Sequence, residues 1–416
     1  MLITKAPKGT EDLLPDNSYR WQYLEKKFKE VCDCFGYKEI RVPTFEHTEL
    51  FERGVGDTTD VVEKQMYTFN DKGGRSITLR PEGTASVARS YLQNNLYAGT
   101  LPLKMWYNLP CFRYENKQKG RLREFHQFGV EAYGSKGPSI DTEVVALAIT
   151  FLRNVGLSDL SVNINSIGCP ECRKKYNDIL KEYIRPHLDE LCDTCKSRFD
   201  RNPLRILDCK SDICQGIVKD VPRLIDYICD DCREHFEKFK NALENMKIQY
   251  NVDSGIVRGL DYYTKTVFEI ISGPFTVCGG GRYDGLVEEF GGDSTPAIGF
   301  GLGIERLLIR LDELGVEIPC ENKPELYIAS LGDEANAAAQ TIAFNLRQKG
   351  IRTETDHMSR GLKPQMKYSN KIDAEYTLVL GDSELESGDI KLKNMLTGEQ
   401  IDCRLDKLVG FFKEDK

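Results

Sequence analysis

No stretch of this 416-residue chain approaches the roughly 18 consecutive apolar residues that cross a bilayer. Met1 to Asp16 mixes Lys5, Lys8, Glu11, Asp12 and Asp16 with short apolar pieces, so the apolar region of a secretory leader is missing too. The expectation is a cytoplasmic chain with no membrane partner. A basic excess is also missing: 57 Lys and Arg face 65 Asp and Glu, a net charge of -8. That balance argues against indiscriminate polyanion binding and leaves any nucleic-acid contact to local clusters. The richest is Lys117-Gln118-Lys119-Gly120-Arg121-Leu122-Arg123, which taken alone reads as a solvated loop. No G-x-x-x-x-G-K-[ST] loop occurs, so phosphates would have to be held by arginines. Internal repeats and low-complexity tracts are absent.

What is present is an ordinary globular composition, 40% apolar and 29% charged, long enough for two or three domains. Apolar positions Trp21, Leu24, Phe28, Val31 and Phe35 recur at helical spacing after a cap at Asp16 or Asn17 and stop at Gly36. Tyr37 to Val42 reads as a strand ending at Pro43. Met66 to Phe69 and Ser76 to Leu79 flank a hairpin turn, and Pro81-Glu82 opens a helix toward Asn94. Lys104 to Tyr114 and Arg123 to Tyr133 read as two strands joined by the basic loop. Alternation puts Arg123, Phe125, Gln127 and Glu131 on one face, with His126 on the other. A helix Thr142 to Val155 and a strand Leu160 to Asn165 follow.

The character changes from Cys169 to about Asn245, which is charged, helical and cysteine-rich, with helices Glu171 to Tyr183 and Pro222 to Met246. Strand-rich sequence returns at Gln249: Val267 to Ile271, Phe275 to Cys278, then Ile298 to Gly301 leading into a helix Ile304 to Leu314. The domains expected are 1–324, interrupted by a helical insertion 169–247, and 325–416. The last follows a linker near Pro319 and alternates strand and helix, implying an α/β domain with a mostly parallel sheet.

Fourteen cysteines in a chain without an export signal read as thiols or metal ligands, and eight lie between Cys169 and Cys232. Cys169-x2-Cys172 and Cys192-x2-Cys195 have zinc-ribbon spacing, while Cys209 and Cys214 precede Cys229-x2-Cys232. A structural zinc, one per chain on Cys169, Cys172, Cys192 and Cys195, competes with inert buried thiols. The thiol reading is preferred, so no residue is assigned as a metal ligand, and a catalytic zinc is not expected.

Val257-Arg258-Gly259-Leu260-Asp261-Tyr262-Tyr263-Thr264 and Cys278-Gly279-Gly280-Gly281-Arg282-Tyr283-Asp284-Gly285 combine an arginine, paired tyrosines and a glycine turn, suited to a small polar ligand beside an anion. The first stretch resembles the signature peptide of histidyl-tRNA synthetases, and the second resembles that family's following glycine-rich peptide. Phe112-Arg113-Tyr114-Glu115, the basic loop and Arg123 to Glu131 resemble motif 2 of class II aminoacyl-tRNA synthetases. Gly299 to Arg306 resembles motif 3, and Gly36-Tyr37 to Pro43 resembles motif 1.

The resemblance spans essentially the whole chain. It implies an α+β class II catalytic domain on an antiparallel sheet with flanking helices, a helical insertion, and a C-terminal α/β anticodon-binding domain. It also implies a homodimer, with motif 1 at the interface. The activity implied is histidine–tRNA ligation: ATP, with magnesium, and L-histidine form histidyl-adenylate, and the histidyl group passes to the terminal adenosine of its tRNA. Arg113 and Arg258 would stabilise the α-phosphate, Arg258 standing where related enzymes use a metal ion. Arg121 and Arg306 would hold the β- and γ-phosphates, with Phe125 stacking on adenine and Glu115 near its amino edge. Glu82, Gly83 and Thr84 would contact the α-amino end and Gln127 the substrate's polar backbone. Glu131 and Tyr262 or Tyr263 would read the imidazole. Two rivals share the architecture: a synthetase-like histidine-binding regulatory subunit of histidine biosynthesis, and a sensor of uncharged tRNA. The first usually lacks the C-terminal domain and loses the ATP arginines. The second would need an effector domain that this length does not accommodate.

Overall fold

Proline, not aspartate, opens the first helix. It spans Pro15–Cys34 with Leu14 at the N-cap and no side-chain cap, because proline has no N–H to leave unpaired and its fixed φ suits the first turn. The expected caps, Asp16 and Asn17, lie inside it. Leu24, Phe28, Val31 and Cys32 form its buried face, and Gly36, at a φ of 75° that favours glycine, ends it. Phe28 stacks on Phe128 with ring centroids 4.5 Å apart and meets Trp106 and Phe151 edge-on. Burying a side chain of this size contributes about 1.5–3 kcal/mol, so this face fixes the helix on the sheet.

The computed structural model describes residues 4–56, 59–116, 118–209, 211–320 and 322–414; Lys117 of the basic loop lies outside them. The chain divides into two compact units, Met1–Ile318 and Pro319–Lys416. In the first, the strands are β1 (Lys38–Glu39), β2 (Phe45–His47), β3 (Tyr67–Asn70), β4 (Ser76–Leu79), β5 (Leu103–Phe112), β6 (Glu124–Tyr133), β7 (Leu160–Ser166), β8 (Asn251–Val252), β9 (Thr264–Ser272), β10 (Phe275–Arg282) and β11 (Ala297–Gly303). Eight of them make one sheet in the order β1-β5-β6-β11-β10-β9-β7-β8. Its inner pairings are antiparallel and only the edge strands β1 and β8 pair parallel. β1 is shorter than the sequence suggested, since the chain leaves the edge after one further bond, Ile40 N–H to the Trp106 carbonyl. β3 and β4 form the expected hairpin, which β2 extends to three strands.

The helix expected from Pro81 begins later, at Thr84–Gln93. Glu82 explains the delay: its carboxylate accepts the N–H groups of Thr84 and Ala85, both at 2.8 Å, satisfying two of the donors that a helix start leaves open. The cysteine-rich stretch holds helices Pro170–Ile184, Asp193–Arg201, Asp212–Val218 and Asp230–Asn245. The single helix expected over Pro222 to Met246 is broken, with a 3-10 turn at Leu224–Tyr227 and a fresh start capped by Cys229. Tyr176, Leu180, Phe199 and Ile206 build a core there together with Cys172, Cys195, Cys209, Cys214 and Cys232. Phe236, Phe239 and Leu243 of the last helix instead join the main core under the large sheet. The four-thiol set weighed against inert thiols, Cys169, Cys172, Cys192 and Cys195, does not form. Cys169 and Cys172 meet Cys229 and Cys232, while Cys192 and Cys195 meet Cys209 and Cys214. Spacing along the chain cannot show which helix starts face one another.

In the second unit β12 (Leu326–Ser330), β13 (Thr353–Thr355), β14 (Tyr376–Leu380), β15 (Asp389–Asn394) and β16 (Gln400–Arg404) make a sheet in the order β13-β12-β14-β15-β16. The first three are parallel, as alternation with helices Asp333–Gln348 and Leu362–Lys371 predicts. The antiparallel hairpin β15–β16, absent from the sequence reading, completes the sheet. Leu326, Ile328, Leu346, Leu378 and Leu392 form its core.

Candidate functional site

Antiparallel pairing of β9 with β10 sets Glu269 opposite Gly279. Because residue 279 has no side chain, Arg258 can lie across it: a Cβ there would stand 2.3 Å from Arg258 Nη2. Arg258 is 19% exposed and its Nη1 donates to Glu269 Oε1. Its guanidinium lies 5.8 Å from the centroid of the Tyr263 ring. Arg258 Nε is buried and finds no acceptor among the described residues. A buried donor without a partner costs free energy that a bound anion would recover.

A cleft of about 660 Å³ opens over this strand pair and over β6. Glu82, Thr84, Arg113, Glu115, Arg121, Phe125, Gln127, Arg258, Tyr262, Tyr263 and Arg306 all line it, so the fold gathers residues of the signature stretch, the glycine-rich stretch and the motif 2 and motif 3 segments, while the Gly36 to Pro43 segment contributes none. Arg113 donates from Nε to the Pro81 carbonyl at 2.8 Å and lies 5.2 Å over the Phe125 ring. Arg306 reaches the carbonyls of Gly120 at 3.2 Å and Thr276 at 3.4 Å, and Arg121 is 3.4 Å from Glu115. Burial first, and then the charge of Arg121, lower the pKa of Arg306, with Arg113 adding to the effect and Glu115 opposing it. Guanidinium groups crowded on one wall suit a polyanionic ligand.

Tyr262 and Tyr263 have ring centroids 4.7 Å apart, and the Tyr262 hydroxyl is 3.5 Å from Glu82 Oε2. Burial pushes the Glu82 carboxyl up, while the helix-start N–H groups of Ala85 and Thr84 pull it down.

Two expected residues do not line the cleft. Glu131 is wholly buried behind the wall and accepts from Thr84 Oγ1 at 2.7 Å, from the Tyr107 hydroxyl at 3.1 Å and from the Tyr283 hydroxyl. Alternation chose its face correctly, but Tyr107 on β5 stands between it and the opening. Gly83 serves the same ring, since a Cβ at residue 83 would lie 2.6 Å from Tyr107, and one at Gly129 only 2.1 Å. Those two glycines were the signal for Tyr107, which sequence reasoning missed along with the lining residues Glu269, Asp208 and Glu305. His126 faces away, as alternation predicts: its N–H and Nδ1 lie 2.8 and 3.1 Å from Glu305 and its ring meets Trp21. Arg282 of the glycine-rich peptide is buried on Asp141, which also meets His235 at 2.8 Å, so that arginine is structural.

The chain matches a family profile described as Histidyl-tRNA synthetase over residues 9–171 and 217–307, and one described as Anticodon binding domain over 325–415. It is 55% identical to the histidine–tRNA ligase of Acetivibrio thermocellus, covering 99% of this chain and 100% of the relative. It is 57% identical to that of Clostridium perfringens strain SM101, covering 97% and 98%. The crystal structure of apo histidyl-tRNA synthetase from S. aureus superposes with a TM-score of 0.86 at 42% identity, covering 99% of this chain and all of that one.

Proposed function

The chain belongs to the histidyl-tRNA synthetase family, and from that premise we propose how its cleft carries out the family's reaction, the ATP-dependent ligation of histidine to its tRNA. A histidine carboxylate oxygen attacks the α-phosphorus of ATP. The new oxygen–phosphorus bond replaces the one to pyrophosphate, leaving histidyl-adenylate. A hydroxyl of the tRNA's terminal adenosine then takes the histidyl carbonyl, and AMP leaves. Near-full-length identity to histidine–tRNA ligases sets aside the regulatory-subunit reading, and the four ATP arginines that such a subunit would lack are all in the cleft.

The observation that carries the assignment of roles is the half-buried Arg258 guanidinium, whose buried Nε has no partner among the described residues, on the same cleft as Arg113. Charge builds on the α-phosphoryl oxygens as the carboxylate attacks, and fixed cations stabilise that charge without reorganising. Arg258 and Arg113 act there. Arg121 and Arg306 hold the β- and γ-phosphates of ATP, which arrives as its magnesium complex. Phe125 stacks on adenine and Glu115 meets its amino edge. Glu82 and Thr84 hold the α-ammonium, Gln127 the carboxylate end, and Tyr262 and Tyr263 the imidazole. Glu131 is a positioning residue for that end, acting through Tyr107, Thr84 and Tyr283.

The same reading takes residues 1–324 as the catalytic domain, with 169–247 inserted, and 325–416 as the anticodon reader, in a cytoplasmic homodimer. Supporting the dimer, Phe45 and Phe69 of the three-stranded sheet expose about half their surface, an apolar display that a partner would cover. Supporting the location, no helix among the described residues is long and apolar enough to cross a membrane. Histidine-dependent exchange of pyrophosphate into ATP tests the assignment. Arg258→Ala should abolish most of it in a folded protein, and near-normal exchange would overturn the role given to that residue.

A further inference from the structure

Eight cysteines that the reaction does not use are sorted by the fold into two separate sets of four. Cys169, Cys172, Cys229 and Cys232 form one and Cys192, Cys195, Cys209 and Cys214 the other; in each, all four sulfurs lie within 4.8 Å of one another. The local cause is repeated three times. Cys169, Cys192 and Cys229 are the N-caps of helices Pro170–Ile184, Asp193–Arg201 and Asp230–Asn245. Cys172, Cys195 and Cys232 stand three residues further on, so each pair presents two sulfurs from one helix start. Free N–H groups there favour the thiolate form. The first set is two such starts facing each other. The second is one start closed by the arm that carries Cys209 and Cys214.

The sulfurs are spaced for an ion and not for disulfides. Cys169 and Cys172 are 3.5 Å apart and Cys192 and Cys209 3.8 Å. A tetrahedral zinc with bonds of about 2.3 Å would set its sulfurs about 3.8 Å apart, whereas a disulfide needs about 2.05 Å. Backbone donors already point at these sulfurs: Cys229 N–H at Cys172 at 3.1 Å, Cys192 N–H at Cys214 at 3.3 Å and Ser211 N–H at Cys209 at 3.4 Å. Packing alone gives no reason for four thiols to converge twice on a common centre, and the spread of each set leaves room for one ion, not for a multi-iron cluster.

We propose that the chain carries two structural zinc ions, one on Cys169, Cys172, Cys229 and Cys232 and one on Cys192, Cys195, Cys209 and Cys214. The first ties the entry of the cysteine-rich segment to its exit. Gly168, next to its first ligand, is held to the main sheet by Lys265 N–H at 2.8 Å. The second holds together helices of 9 and 7 residues, lengths at which isolated helices are marginal in water. Between its ligands sits Arg205, whose Nε donates to Asp261 Oδ1 at 2.9 Å and whose Nη2 donates to the Gly259 carbonyl at 2.5 Å. Asp208, adjoining Cys209, lines the cleft. The second zinc therefore positions the loop bearing Arg258, Tyr262 and Tyr263, a step that rests on the cleft being the histidine site.

Metal analysis of the full-length chain, purified without chelator, should return two zinc ions per chain. Cys169→Ser with Cys172→Ser should remove one, and Cys209→Ser with Cys214→Ser the other, while Cys278→Ser, outside both sets, should keep two. The second pair should also raise the KM for histidine more than that for ATP. Equal effects on both would refute the positioning step and leave the metal assignment standing. Should a double variant fail to fold, cobalt added to the metal-stripped wild-type chain decides: tetrathiolate absorption saturating at two equivalents supports the proposal. Saturation at one or none, iron in place of zinc, or loss of both ions from either folded double variant would overturn it.

Discussion

Gly279 and Arg258 are in contact through an absence: a Cβ on residue 279 would stand 2.3 Å from Nη2 of Arg258 and 2.5 Å from Nη1. The glycine-rich peptide is thus a seat for the arginine of the signature loop. Gly279→Ala should therefore displace Arg258 and its contact with Glu269. Pyrophosphate exchange should fall by on the order of 10²-fold, the loss typical of one missing oxyanion donor, with near-native circular dichroism. An alanine variant with normal exchange would show that the guanidinium works from elsewhere.

Arg113→Ala removes a second cation from the same wall, and on the proposed α-phosphate role its loss should appear chiefly in kcat, because that charge develops in the transition state. If Arg306 holds the β- and γ-phosphates as proposed, Arg306→Ala removes contacts made before reaction, so its main effect should be a higher KM for ATP. Steady-state exchange kinetics at varied ATP separate the two. Matching profiles for both variants would refute the division of labour among the arginines.

Glu131 predicts a pH dependence. Burial pushes its carboxyl up to about 8, against the pull of the Tyr283 and Thr84 hydroxyls and with Glu82 raising it further. The unfolded chain ionises it near the ordinary 4.5. Between those values the native state holds a proton that the unfolded state lacks, so this group's stabilisation is complete below about 4.5 and is lost as pH rises to about 8. Thermal melts from pH 5 to 8 should show a downward slope that Glu131→Gln flattens. Glu131→Ala should weaken histidine use more than ATP use, since Tyr107 loses its acceptor, and the glutamine variant should partly rescue it. An unchanged slope in Glu131→Gln would place the titration on another group.

The motifs could be read from the chain because each pairs residue types that chemistry rarely combines by chance, and Arg113, Phe125, Gln127, Arg258 and Arg306 do share one cleft. Strand alternation correctly put His126 and Gln127 on opposite faces. Sequence reasoning failed where the third dimension decides. Nothing local says that Tyr107 screens Glu131, since that follows from the β5–β6 register placing Tyr107 opposite Gly129. Nor could spacing pair Cys172 with Cys229 across the whole cysteine-rich segment. The late start of the helix at Thr84 was concealed because Glu82, read as a substrate contact, also caps it.

The second unit carries its own prediction. Arg360, Lys363, Lys367 and Lys371 line a groove of about 390 Å³ with Tyr368, and the three lysines repeat every four residues along helix Leu362–Lys371. Like charges at that spacing repel and destabilise a helix, so their clustering is better explained by a phosphate backbone than by folding. Arg360 lies 4.6 Å over the Tyr368 ring, leaving an aromatic and a cation together where an unpaired base could stack. Lys363→Glu, Lys367→Glu and Lys371→Glu in one chain should leave pyrophosphate exchange unchanged, because that step needs only ATP and histidine. Aminoacylation at limiting tRNA should fall, and the slope of log affinity against log salt should flatten by roughly 2 for three lost single-strand phosphate contacts. Unchanged kcat/KM for tRNA together with an unchanged salt slope would mean that the anticodon is read on another face of this domain.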